Sequence, residues 1–145
     1  MKKGFVCFLL ALAFNLTACA DKKEVITFAQ LPQNAQELIS ANFDAAAVSY
    51  ITKERDFLSD EYEVRFNNGA EIEFEQDGTL KKVDCKGVAV PEAILPQEVL
   101  TYVKTNFPSA SVTEWGKDDA NYKAELNNGL ELKFDRSYRF LRLDD

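Results

Sequence analysis

The chain has 145 residues, with 17 basic and 24 acidic side chains, a formal charge of −7 and no histidine. That length fits one small domain, or two halves sharing one sheet. The missing histidine excludes Ser-His and Cys-His catalysis and the usual zinc sites, leaving only carboxylate, lysine, tyrosine or thiol chemistry. An acidic chain without a basic stripe argues against nucleic-acid binding.

In chain order, Lys2 and Lys3 precede an apolar run from Phe5 to Phe14, too short for a membrane span and right for a secretion signal. The run leads into Leu16-Thr17-Ala18-Cys19, which resembles the lipobox of bacterial lipoproteins. The resemblance implies removal of residues 1–18 as a signal peptide and lipidation of Cys19. The protein is then exported and lipid-anchored in the cell envelope. An ordinary signal peptide with a chance cysteine is the competing reading. Losing residues 1–18 takes away Lys2, Lys3 and Cys7, leaving 15 basic against 24 acidic side chains, or −9. Only Cys85 then accompanies Cys19, so no intramolecular disulfide is expected. Cys85 reads as a small, partly buried strand residue. Residues 19–30 read as a charged tether, with an extended segment at Val25–Phe28.

Leu31-Pro32 opens a helical segment with Ala35, Leu38, Ile39 and Phe43 at helical spacing. Leu95-Pro96 opens another with Val99, Leu100, Val103 and Phe107. Proline in the first turn forfeits no hydrogen bond, and Pro108 forbids continuation.

After the first helix, Tyr62, Val64 and Phe66 alternate with Glu61, Glu63 and Arg65, and Asn67-Asn68-Gly69 turns the chain. Ala70, Ile72 and Phe74 alternate with Glu71, Glu73 and Glu75 on the return. This is a hairpin with one apolar and one charged face. It returns as Tyr122, Ala124 and Leu126, the turn Asn127-Asn128-Gly129, then Leu130, Leu132 and Phe134. A two-residue loop would pair Phe66 with Glu71 and mix the faces. A three-residue loop pairs Phe66 with Ala70, Val64 with Ile72 and Tyr62 with Phe74, which predicts a left-handed Gly69 in a bulged turn. It also sets Glu63 opposite Glu73, Glu61 opposite Glu75, Glu125 opposite Glu131 and Lys123 opposite Lys133. Like charges directly opposite are mildly destabilising. Neighbouring strands or water are therefore expected to supply the counter-charges; a surface held ready for a partner is the sharper reading.

The copies are offset by 64 residues through the helix and 60 through the hairpin, which puts four extra residues in copy one, in a loop around Phe57-Leu58-Ser59-Asp60. Final strands are expected at Thr79–Cys85 and Tyr138–Leu143. Asp77-Gly78 signals the turn before the first of these; Ser137-Tyr138 replaces it in copy two, so a different turn is expected there. Repeat one spans residues 31–86, the connector 87–94 and repeat two 95–145. The predicted fold is α+β: two tandem repeats, each a helix plus a four-stranded antiparallel sheet, with helices on one face and the opposite face open.

The Leu-Pro helix start, the Asn-Phe helix end and Tyr-x-Val-x-Phe-Asn-Asn-Gly-x-Glu-Ile-x-Phe-x-x-Asp-Gly resemble the PepSY-like family of secreted Bacteroidetes proteins. Copy one carries the pattern in Leu31, Pro32, Phe43, Tyr62, Val64, Asn68, Gly69, Glu71, Phe74, Asp77 and Gly78. Copy two carries it in Leu95, Pro96, Phe107, Pro108, Tyr122, Leu126, Asn128, Gly129, Glu131 and Phe134, and loses the Asp-Gly. The resemblance implies a fold like that of the β-lactamase inhibitor protein, with the sheet face as binding surface. It carries over no catalytic residues.

The leading reading is a non-enzymatic envelope lipoprotein that binds a protein or peptide partner through the open sheet face, with inhibition as a narrower version. If Val112 faces the helix, strand parity places Thr113 and Trp115 on the open face, with Tyr50 or Ile51 near the equivalent place in copy one. Trp115 is then an interface anchor, the competing reading being burial in the core. Partner-binding candidates are Trp115, Tyr50, Glu63, Glu73, Lys123 and Lys133. The alternatives are a periplasmic cation or small-ligand sensor using Glu61, Glu63, Glu73 and Glu75, and a structural envelope lipoprotein. No calcium-loop motif occurs. No cofactor, resident metal or nucleic-acid partner is expected, and the membrane is reached only through the lipid. An enzyme using Glu63 and Glu73 as paired carboxylates is the weakest reading, since a shallow wet face gives neither a raised pKa.

Overall fold

The computed structural model describes residues 22–55 and 58–144. The leader, Cys7, the lipidation candidate Cys19, the start of the expected tether and Phe57 lie outside the described residues. Nine strands form one antiparallel sheet in strict chain order. These are β1 (Lys22–Ile26), β2 (Val48–Arg55), β3 (Asp60–Phe66), β4 (Glu71–Glu75), β5 (Leu80–Asp84), β6 (Val112–Asp118), β7 (Asn121–Leu126), β8 (Glu131–Phe134) and β9 (Phe140–Asp144). Helix α1 (Gln33–Asn42) stands between β1 and β2, and α2 (Gln97–Asn106) between β5 and β6. The α+β class and the tandem plan are as expected from the sequence. The ninth strand corrects it: residues 22–26, read as tether, pair along β2 with Ile26 opposite Ile51. Only Ile26 of that strand is buried, so no alternation marks it in the sequence.

The helices end alike for one reason. Asn42 Nδ2 donates to the Leu38 carbonyl at 2.9 Å, and Asn106 Nδ2 donates to the Tyr102 carbonyl at 2.9 Å. Each folds back to add a side-chain bond to a carbonyl one turn earlier. Ala35 and Ile39 of α1 and Val99 and Val103 of α2 are buried. They join one core with Val64, Ile72, Phe74, Leu126, Leu132 and Phe134 of the sheet. Phe43 lies 5.3 Å from Phe66, and Tyr102 meets Phe134 edge-on at 5.8 Å, so both helices cover the same sheet face.

Both hairpins have the expected three-residue register. Tyr62 faces Phe74 and Val64 faces Ile72, and the Phe66 amide donates to Ala70. Gly69 and Gly129 take φ of +87° and +85°, the left-handed region that the bulged turn needs. The side chain of Asn68 accepts from the Ala70 amide, and that of Asn128 from the Leu130 amide.

The β4–β5 and β8–β9 turns overturn one expectation. The Gly78 amide donates to the Glu75 carbonyl, and the Tyr138 amide donates to the Asp135 carbonyl, at equivalent positions. Gly78 has φ +81° and Tyr138 φ +60°. The backbone path is thus kept, although Asp-Gly has become Ser-Tyr. What differs is the space around the turn. A Cβ on Gly78 would lie 2.0 Å from Asn34 Oδ1 and 2.7 Å from Pro32 Cβ. Tyr138 instead lies over Tyr122 at 5.0 Å and Trp115 at 6.2 Å. A bulky residue at positive φ is strained, and aromatic contact offsets the strain.

Register shifts recur at equivalent places, between Val48 and Tyr50 in β2 and between Val112 and Glu114 in β6. Each leaves one extra residue, Ser49 or Thr113, opposite the hairpin strand. The repeats are joined by three pairs, Lys82–Gly116, Val83–Trp115 and Asp84–Glu114. A Cβ on Gly116 would sit 2.9 Å from Lys81 O and from Lys82 Cα, so the strands meet this closely only because residue 116 has no side chain.

Candidate functional site

The sheet face away from the helices carries the charged alternation of both hairpins. Glu61 faces Glu75 and Glu63 faces Glu73, while Glu125 faces Glu131 and Lys123 faces Lys133, as the register predicts. Strands beyond each hairpin supply part of the counter-charge, and Arg65 and Lys123 supply the rest within their own hairpins. Glu63 is held by Lys23 Nζ from β1 at 2.9 Å and by Arg65 Nη2 at 3.0 Å. Arg65 also reaches Glu71, which Lys86 approaches at 3.4 Å. Lys81, the bulged residue opposite β4, lies 2.6 Å from Glu61 and 3.8 Å from Glu73. In the second half Glu114 lies between Lys82 at 3.2 Å and Lys123 at 3.4 Å. Lys123 also reaches Glu131, and Lys133 pairs with Asp118 and Asp144.

These pairings set the titration of the face. Burial pushes the Glu63 carboxyl up, but the Lys23 and Arg65 hydrogen bonds outweigh it and hold the group below its ordinary value. Burial pulls Lys123 down, and the charges of Glu114 and Glu131 outweigh it to leave the ammonium raised. Lys23 is raised chiefly by its hydrogen bond to Glu63.

Of the candidate binding residues, Tyr50, Glu63 and Glu73 share the first half of this face, and Lys123 and Lys133 the second. Tyr50 is 41% exposed, with the Arg65 guanidinium 5.8 Å from its ring centroid. Beside it, the buried Thr52 Oγ1 and Arg65 Nε have no hydrogen-bond partner among the described residues. Trp115 is a correction. It is only 4% exposed and sits on the helix side, stacked on Tyr122 at 5.2 Å and edge-on to Phe134 at 6.0 Å. The cause is the bulge: Thr113 is the extra residue, so Val112 and Trp115 face the same way although three positions apart. Thr113 is buried with its hydroxyl bonded to the Glu125 carbonyl. The residue equivalent to Trp115 in copy one is Ile51, also buried, and Tyr50 corresponds to Glu114. The sequence pattern places Arg65 on the charged face but gives no sign of Lys23, Lys81 and Glu114 there. Lys23 depends on β1, while Lys81 and Glu114 depend on bulges, since regular parity from Val112 would put Glu114 on the helix side.

Glu54, Glu61, Glu63 and Glu73 line a shallow depression of about 140 Å³. Among the described residues no three His, Cys, Asp or Glu side chains are grouped to hold a metal. No helix among them is long and apolar enough to cross a membrane.

Tandem helix-and-meander units, with both helices on one face of a single sheet and a charged open face, define a PepSY-like protein class. A family model described as candidate beta-lactamase-inhibitor-like, PepSY-like matches residues 16–59 and 60–142, and the chain belongs to this PepSY-like family. Three solved structures of Bacteroides proteins are similar to it. One, a periplasmic protein candidate of the DUF2874 family from Bacteroides vulgatus, is 36% identical, with TM-score 0.81 over 87% of this chain and 99% of that one. Another, described as a candidate calcium-regulated periplasmic protein from Bacteroides thetaiotaomicron, is 39% identical, with TM-score 0.79 over 85% and 97%. A third, from Bacteroides vulgatus and described as of unknown function, is 32% identical, with TM-score 0.77 over 86% and 100%. No curated protein matches the chain.

Proposed function

We propose that this protein is a non-enzymatic, exported envelope lipoprotein, anchored through Cys19, that binds a protein or peptide partner on its open sheet face. The observation that carries the reading is the face itself. It is a single broad surface left uncovered by either helix, with exposed Tyr50 beneath Arg65 and ordered ion pairs around Glu63. The inhibitor-like family supports binding as the role, and the periplasmic description of the structural relatives supports export. Glu63 speaks against acid-base chemistry: a general acid needs a raised pKa, and this carboxyl is lowered by its cations.

The test is capture from envelope extracts by residues 22–145, which hold the whole sheet and both helices, beside a Tyr50→Ala, Arg65→Glu variant. A stoichiometric protein held by the native form and released by a folded variant supports the reading. Nothing held at low or high salt sinks it. Anchoring is tested separately by fatty-acid labelling in cells, which Cys19→Ser must abolish.

A second reading rests on the relative described as calcium-regulated. In it, the depression between Glu54, Glu61, Glu63 and Glu73 responds to a divalent cation. Calcium takes six to eight oxygens, and here Lys23 and Lys81 already occupy the carboxylates. Calorimetric titration with calcium that shows no heat dismisses this reading.

A further inference from the structure

We propose that two copies of this chain pair through the outer edge of β9, in antiparallel register with Leu143 opposite Leu143, continuing the sheet across the pair. Strand β9 corresponds to β5 with an offset of 60, since Phe140 faces Phe134 as Leu80 faces Phe74. The outer edge of β5 is covered by β6 within the chain. Among the described residues no strand covers the same edge of β9.

The hydrogen-bonding groups of that edge follow from β5. The Cys85 amide donates to the Thr113 carbonyl, so the period-2 alternation points the amide and carbonyl of Val83 towards β6 as well. Leu143 stands where Val83 stands, and its amide and carbonyl therefore point outward. A two-fold axis at Leu143 makes it a hydrogen-bonded pair with its own copy, each amide donating to the other carbonyl. Val83 is fully buried under its partner strand, whereas Leu143 and its neighbour Leu141 are each 47% exposed.

The charges select the register. Within the chain, Arg142 lies directly opposite Lys133 and Asp144 directly opposite Glu131, like facing like, and Arg142 and Asp144 bond each other along the strand at 2.8 Å. Across an axis at Leu143, Arg142 of one copy faces Asp144 of the other, and this pair occurs twice. An axis at Arg142 would instead set Arg142 against itself. The other sheet edge is built differently: β1 places exposed Lys22 and Lys23 there, an arrangement that discourages strand addition. Residues 142–144 offer three residue pairs, as many as β5 and β6 share in register, where the Cys85 amide adds a further bond to Thr113.

The test is sedimentation equilibrium of residues 22–145 over a wide concentration range, at low and physiological salt. A monomer–dimer equilibrium is expected for the native chain. Arg142→Asp sets acid against acid twice and lowers the association constant roughly tenfold. Adding Asp144→Arg to it restores complementarity and association. Arg142→Asp breaks the bond between Arg142 and Asp144 within the chain, and the double variant exchanges the two charges, so urea unfolding of both is run beside the native chain to separate loss of fold from loss of association. A monomer at every concentration overturns the proposal. So does a dimer indifferent to Arg142→Asp, or one that the double variant fails to restore.

Discussion

Trp115 lies flat against Tyr122, the rings 5.2 Å apart and within 7° of parallel, on the sheet face that the helices cover. Tyr138 closes over the pair from the β8–β9 turn. Removing a buried indole leaves a cavity, and Trp→Ala in a core costs about 3–5 kcal/mol. Trp115→Ala should therefore lower stability by that amount in urea unfolding. Trp115 is the only tryptophan, so native fluorescence reports this site alone and should shift to the red on unfolding. A variant as stable as the parent would remove Trp115 from the core.

Gly78 and Gly87 separate backbone strain from collision. Both have positive φ, +81° and +86°, so alanine strains either one. Only at Gly78 would the new Cβ strike neighbours, Asn34 and Pro32 of the first helical turn; at Gly87 nothing lies within 4 Å. Gly78→Ala should cost on the order of 1–3 kcal/mol more than Gly87→Ala, the usual range for overpacking. Paired thermal melts measure the difference, and equal losses would refute the collision.

Gly116 controls the seam between the repeats. Alanine there would push a methyl into the backbone of Lys81 and Lys82. Gly116→Ala should destabilise the chain, and faster amide exchange should appear first in β5 and β6. Protection lost evenly across the sheet would mean that the seam is not the point of failure.

Stability should be level through neutral pH and fall at both ends. Glu63 and Asp84 are held below their ordinary 4.5 and 3.8, each burial penalty outweighed by lysine or arginine bonds. Depressed carboxyls stabilise the fold above their unfolded values, and that contribution is lost as the pH falls through the folded ones. Lys23, Lys81 and Lys123 are raised above 10.5, so their contribution is present below that value and lost as the pH rises through the folded ones. With no histidine, no imidazole titrates between these limits. Melting temperatures from pH 3 to 11 check this, and a step near pH 6–7 would contradict it.

Hairpin register, helix placement and the tandem plan were legible because local chemistry dictates them. Asn-Asn-Gly allows one turn that keeps both faces consistent, and Leu-Pro starts with Asn-Phe ends bracket each helix. The pairing of Glu63 with Glu73 followed from counting residues. Tyr138 shows the limit of residue type as a guide: a turn that asks for glycine keeps its path when a stacked ring offsets the strain.

The rest was decided by contacts between strands distant in sequence. Side-chain direction along a strand has period two only while pairing is regular. The extra Thr113 reverses that parity and turns Trp115 inward. Lys23 meets Glu63 across forty positions, because β1 takes its place from pairing with β2 and carries no apolar alternation of its own. By itself the sequence determined the hairpins and helices, whose turns and caps are settled within a few residues. Tertiary structure alone decided which face holds Trp115 and which cations neutralise the open one, because bulges and cross-strand ion pairs exist only once the sheet has assembled.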